Sequence, residues 1–166
     1  MPAGATYEPL ATTTLSSATA TVTFSSISGS YTDLVLVVVS KWTGSGNSSY
    51  GMRFNSDSGS NYSRTYLLGN GGSASSARLS NQTSTLNGQV NATEWSPAVF
   101  HIMNYSNSTT YKTILSRTDQ TGSYVTAMVA LWRSTSAITS IDLGYFDTAS
   151  NWASGSTFTL YGIKAA

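Results

Sequence analysis

A period of two runs through most of this 166-residue chain, and no stretch of helix length carries a clean 3.6-residue period. In Thr19-Ala20-Thr21-Val22-Thr23-Phe24-Ser25 hydroxyls alternate with apolar groups, as in a strand with one wet face. Asp33-Leu34-Val35-Leu36-Val37-Val38-Val39-Ser40 is a continuous aliphatic run. Its β-branched content and its Ser/Gly flanks favour a strand buried on both faces over a buried helix. Further runs at 98–105, 111–118, 124–133, 138–146 and 157–163, with short ones at 12–15, 50–55 and 62–68, bring the expectation to roughly eight to ten strands.

Turn formers separate these runs: Gly44-Ser45-Gly46-Asn47, Asp57-Ser58-Gly59, Gly69-Asn70-Gly71-Gly72, Asn87-Gly88 and Gly122-Ser123. The stretch 69–94 carries little apolar content and reads as a long irregular segment, of the kind that is functional or covered by a neighbour. Residues 1–18, with two prolines and a run of Thr and Ser, read as an extended N-terminal arm ahead of one domain spanning 19–166. Many strands, regular turns and no crossover helices predict an all-β fold, a two-sheet antiparallel β-sandwich of jelly-roll-like form.

Chemistry is what the composition argues against. Seven acidic and eight basic residues are scattered singly, there is one histidine and no cysteine, and about a third of the positions are Ser or Thr. Catalysis needs titratable groups brought close together, so a non-enzymatic structural or binding protein without a cofactor is expected. A net charge of +1 with no Lys/Arg cluster lacks the footprint of a nucleic-acid binder. The longest aliphatic run, 34–39, is far too short for a membrane span. The opening residues show neither the basic nor the apolar region of a signal peptide, so no secretory route is expected.

Candidate sites are few. His101 lies in the apolar run Val99-Phe100-His101-Ile102-Met103 and reads as a hydrogen-bonded sheet histidine rather than a base. Asn55-Ser56-Asp57-Ser58-Gly59-Ser60-Asn61 sets oxygen ligands around a glycine as a calcium loop would, but lacks the closing bidentate glutamate, so an Asx-type turn fits better. Glu94, Asp119, Asp142 and Asp147 hold no telling spacing for a glycosidase pair, and Asp142 is expected to answer Arg117 or Arg133 across strands. The Asn-x-Ser/Thr triplets at Asn61 and Asn91 read as chance in so hydroxyl-rich a chain. Aromatic residues are the stronger candidates. Trp42, Trp95 and Trp152 adjoin Gly/Ser-rich loops and are better placed for the surface than Trp132; with Tyr50, Tyr62, Tyr66 and Tyr145 they would serve as core, protein interface or sugar platform.

Four segments carry a resemblance. They are Ala20-Thr21-Val22-Thr23-Phe24-Ser25-Ser26-Ile27, Ser30-Tyr31-Thr32-Asp33-Leu34-Val35-Leu36, Arg53-Phe54-Asn55-Ser56-Asp57 with Ser60-Asn61-Tyr62-Ser63, and the closing Gly155-Ser156-Thr157-Phe158-Thr159-Leu160-Tyr161-Gly162-Ile163-Lys164. Together they resemble small virion structural proteins of tailed bacteriophages, cyanophages among them. The resemblance implies a jelly-roll-like domain used in capsid decoration (cement) or in tail appendages, typically trimeric and without enzymatic activity. On that basis the expected partner is the major capsid protein or another virion protein, and the expected location is the virion, assembled in the host cytoplasm. The arm residues Tyr7, Leu10 and Leu15 are the expected docking residues. The alternative is a tail or fibre module that recognises host glycan through Trp42, Trp95 or Trp152; a carbohydrate-active enzyme ranks third.

Overall fold

The computed structural model describes residues 6–86, 88–120 and 122–164. The first five residues of the expected arm, the last two of the expected domain and Asn87 of the expected Asn87-Gly88 turn fall outside them. In chain order the strands are β1 (Tyr7–Thr14), β2 (Thr21–Phe24), β3 (Asp33–Ser40), β4 (Asn47–Phe54), β5 (Tyr62–Gly69) and β6 (Ala74–Gln82). They continue with β7 (Gly88–Asn91), β8 (Ser96–Met103), β9 (Lys112–Gln120), β10 (Tyr124–Trp132), β11 (Ile141–Gly144) and β12 (Thr157–Ile163). No helix occurs among the described residues.

All pairings are antiparallel and build two sheets: an eight-stranded one in the order β1-β12-β3-β8-β9-β10-β5-β6, and a four-stranded one in the order β2-β11-β4-β7. The all-β antiparallel sandwich expected from the alternation is therefore present. The chain changes sheet at nearly every step. β1, β3, β8 and β12 lie in the large sheet, and β2, β4, β7 and β11 in the small one. The hairpins β5–β6 and β9–β10 widen the large sheet beyond β8.

Alternation explains the core directly. In β2 Val22 and Phe24 point inward and Thr21 and Thr23 outward. Leu34, Leu36, Phe100, Ile102, Phe158 and Leu160 from the large sheet are buried against Met52, Phe54, Ile141 and Leu143 of the small one. Each such side chain contributes about 1.5–3 kcal/mol relative to exposure. The aliphatic run of β3, expected to be buried on both faces, is buried throughout on its inner face, while on the outer face burial fades along the strand: Val35 is buried, Val37 half-buried and Val39 exposed.

Two expectations need correction. Residues 69–94 are not irregular. β6 pairs along its length with β5, and β7 with β4. Both faces of β6 are largely wet, so its side chains carry no alternation and its order comes from backbone hydrogen bonds. Gly88 is the first residue of β7 instead of a turn, and the fully buried Tyr50 ring lies so close that a Cβ there would sit 1.9 Å from Tyr50 Cζ. Nor does the described part of the expected arm stand apart. β1 pairs with β12 through a bulge at Pro9/Ala11, Leu15 N–H donates to Ser156 C=O at 2.9 Å, and Thr19 bridges Trp152.

Candidate docking surface

Of the expected docking residues, Tyr7 and Leu10 lie in β1 at the edge of the large sheet, and Leu15 follows directly after it. Tyr7 is 54% exposed, and its ring meets Tyr161 edge to face with centroids 6.4 Å apart. Leu10 packs against the core and, with Phe24, Ile27, Tyr31 and Leu160, lines a groove of about 340 Å³ between the free edges of β1 and β2. Leu15 is buried. Glu8 forms an ion pair with Lys164, and hydrogen bonds from Lys164 and then Tyr31 hold its carboxyl below the ordinary value. One of the three predicted residues therefore points to solvent, one floors a groove, and one belongs to the core.

The three tryptophans divide in the same way. Trp152, expected at the surface, is fully buried, ringed by Tyr50, Tyr145 and Phe158 at centroid distances of 4.6, 4.8 and 4.9 Å. A Gly/Ser-rich flank marks a loop but says nothing about which way the ring turns, and here the 151–156 turn folds it inward. Trp42 is half-buried; its ring lies tilted by 33° against Tyr145, with centroids 6.2 Å apart, and its Nε1–H donates to Gly46 C=O at 3.0 Å. Only Trp95 is well exposed, at 42%, with Lys41 Nζ 4.8 Å from the ring centroid and Gly155 against the ring. Trp132 is buried, as expected.

The Asn55–Asn61 turn is built from its own side chains. Asn55 and Ser56 adopt φ of 52° and 54°, the left-handed region. Asn55 Nδ2 donates to Ala137 C=O at 2.8 Å, and its Oδ1 accepts from Thr139 N–H at 2.8 Å and Ser140 N–H at 3.1 Å. Asp57 accepts from Gly59 N–H at 2.8 Å, Asn61 Nδ2 at 2.9 Å and the Trp132 indole at 2.7 Å. Tyr62 OH donates to Asp57 C=O and accepts from Phe54 N–H, both at 3.0 Å. Burial pushes the Asp57 carboxyl up, but the bonds from Trp132, Asn61 and Gly59 outweigh it and hold the group below its ordinary value. Both carboxylate oxygens are thus engaged within the protein, which makes this an Asx-type turn in function.

Other expected constellations are not assembled. Asp142 faces Arg53 and Thr23 in the small sheet, and accepts from Thr23 Oγ1 at 2.8 Å and Ser56 Oγ at 3.0 Å. It does not answer Arg117 or Arg133, because Arg117 lies in the other sheet and Arg133 donates to Ser60 C=O and Asn81 Oδ1. His101 lies exposed on the outer side of β8, between Val35 and Leu115. Among the described residues no group of three or more His, Asp or Glu converges on a point that would hold a metal.

Sequence reading missed the outer face of the large sheet. There Leu67, Leu115, Val125 and Val129 are 64%, 40%, 61% and 48% exposed, and Leu67, Leu115 and Val129 line a shallow groove with Ala127. A signal was present in β10. Val125, Ala127, Val129 and Leu131 occupy the outward positions, and Met128, Ala130 and Trp132 the inward ones, so the strand reads as apolar on both sides. No protein-family model matches the chain, and no curated protein matches it.

Proposed function

We propose that this chain is a non-enzymatic virion structural protein of a tailed phage, a decoration protein that binds the assembled shell and stabilises it. The observation that carries the reading is where the four resembling segments lie. The segments around β2 and β3, the β4–β5 turn and β12 contribute to both sheets, with β12 paired to β3 and β2 and β4 flanking β11. They contribute strands to both layers of the domain, and the strand alternation between β1-β12-β3-β8 and β2-β11-β4-β7 supports a jelly-roll-like form. A protein that binds only assembled shell shifts the equilibrium away from disassembly by mass action. The β1 edge, with exposed Tyr7 and the groove beside Leu10, is the docking surface in this reading, suited to an extended segment of a neighbour laid alongside a free strand.

The second reading, a glycan-binding tail module, draws on Trp95, whose exposed ring beside Lys41 offers a stacking face. Copy number per purified particle, measured against the major capsid protein, separates the two. Hundreds of copies support decoration, and a few to a few tens move the protein to the tail. None at all overturns the virion reading.

A further inference from the structure

We infer that the cavity between the two sheets beside β5 is an oxyanion site, in which Arg64 holds one carboxylate or phosphate group. The cavity lies between β5 and β10 of the large sheet and Ser49 and Gln89 of the small one, and its volume is about 120 Å³. That is the share of about four waters, enough for one such group. It is well below the roughly 300 Å³ at which sites for larger ligands begin. Register explains how an arginine comes to line it. Arg64, Tyr66 and Leu68 follow the buried Tyr62 at alternate positions of β5, opposite Ala130, Met128 and Thr126 of β10.

Charge and hydrogen bonding then choose the ligand. A guanidinium stays charged and carries five N–H donors in a planar fork. Arg64 is half-buried, its Nη1 donates to Thr85 C=O at 3.2 Å, and it forms no ion pair among the described residues. Burial holds it below its ordinary value, and the Tyr66 phenol and Asp147, which act in the opposite direction, do not cancel that effect. Asp147 is exposed, and no acidic residue lines the cavity. Arg53, which donates to Thr83 C=O at 3.0 Å, adds a second positive charge along the same 83–85 segment. Charges taken out of water are ordinarily paired, and an anion with two oxygens suits the fork. Two hydroxyls belong to the same walls. Ser49 Oγ accepts from Gln89 Nε2 at 3.1 Å, which leaves its own O–H to donate. Thr126 is 4% exposed, and its hydroxyl has no hydrogen-bond partner among the described residues.

The site goes beyond the virion reading, and its test needs no particle. The full chain, isotope-labelled for amide NMR, is titrated with acetate, inorganic phosphate and N-acetylglutamate N-methylamide at constant ionic strength set with sodium chloride. Saturable shifts of the Tyr66 and Gln89 amides are expected, with dissociation constants on the order of 1 mM. Arg64→Gln is expected to weaken binding at least about tenfold, and Arg64→Lys, which offers no parallel pair of donors, at least about threefold. Arg78→Gln removes an exposed cation paired with Thr65 on the other side of the same hairpin, and should stay within about twofold of wild type. Near-UV circular dichroism unchanged from wild type shows that each variant is folded. If the glutamate derivative binds as tightly as acetate, the cavity admits the acidic side chain of a partner; if only the two small anions bind, the ligand is a free anion. No saturation by any of the three up to about 50 mM, far above the expected constant, overturns the inference. So does binding that survives Arg64→Gln, or that Arg78→Gln weakens equally.

Discussion

At the residue scale, Asp57 shows how a short polar turn holds two sheets together. Of the three hydrogen bonds it accepts, those from Gly59 and Asn61 close the β4–β5 turn and the one from the Trp132 indole ties it to the end of β10, while Asn55 ties the same turn to 137–140. Asp57→Asn keeps the volume but sets an amide N–H toward donors, and is expected to cost about 1–3 kcal/mol in urea denaturation. The pH dependence has a definite sign. The folded state holds the ionised carboxyl more strongly than the unfolded chain does. Its contribution is therefore complete above the ordinary carboxylate value and is lost as pH falls through the lower folded-state value. Wild type should lose more stability than Asp57→Asn across the acid range, so that their melting temperatures converge. Parallel pH profiles would assign the carboxylate no such role. The motif was legible as a turn because Asn, Asp and Gly have local reasons to be there. That Trp132 supplies the third donor was not, since that residue lies 75 positions away.

At the element scale, β1 decides how docking has to be tested. Its position as an edge strand, with Pro9 and a bulge that blunt part of that edge, fits both an architectural and a docking role. Removing residues 1–15 takes Leu10 from its packing and Leu15 from the core, and strips β12 of its outer neighbour. The truncated chain is expected to lose about 3 kcal/mol or more in urea denaturation, so lost shell binding there would report folding. Tyr7→Ala, at an exposed position, is expected to change stability by under about 0.5 kcal/mol, and it isolates docking. Elements also differ in how well sequence marks them. β3 and β12 carry their boundaries openly in aliphatic and alternating runs, whereas β6, in Ala74-Ser75-Ser76-Ala77-Arg78, exists only because β5 offers it a hydrogen-bonding edge.

At the scale of the whole molecule, the two ends of the chain meet: β1 pairs with β12, and β2 with β11 across more than a hundred residues. Such closures cost loop entropy before any contact rewards it, so refolding is expected in the millisecond-to-second range typical of sandwiches. One shared core predicts one transition, with tryptophan fluorescence and far-UV circular dichroism coincident in urea. Divergent curves would instead identify the β5–β6 and β9–β10 hairpins as a separately melting unit.

Strand character was determined by the sequence alone, because alternation is a property of consecutive side chains on a pleated backbone and needs no knowledge of neighbours. The all-β class, the turn at Asp57 and most strand positions follow from it. Which face of each strand is covered was decided only by the tertiary structure. Trp152 went inside because Tyr50, Tyr145 and Phe158 surround it, and Leu67, Val125 and Val129 stayed outside because they lie on the side of the large sheet turned away from the small one. Burial is set by what lies opposite, and that partner comes from distant parts of the chain.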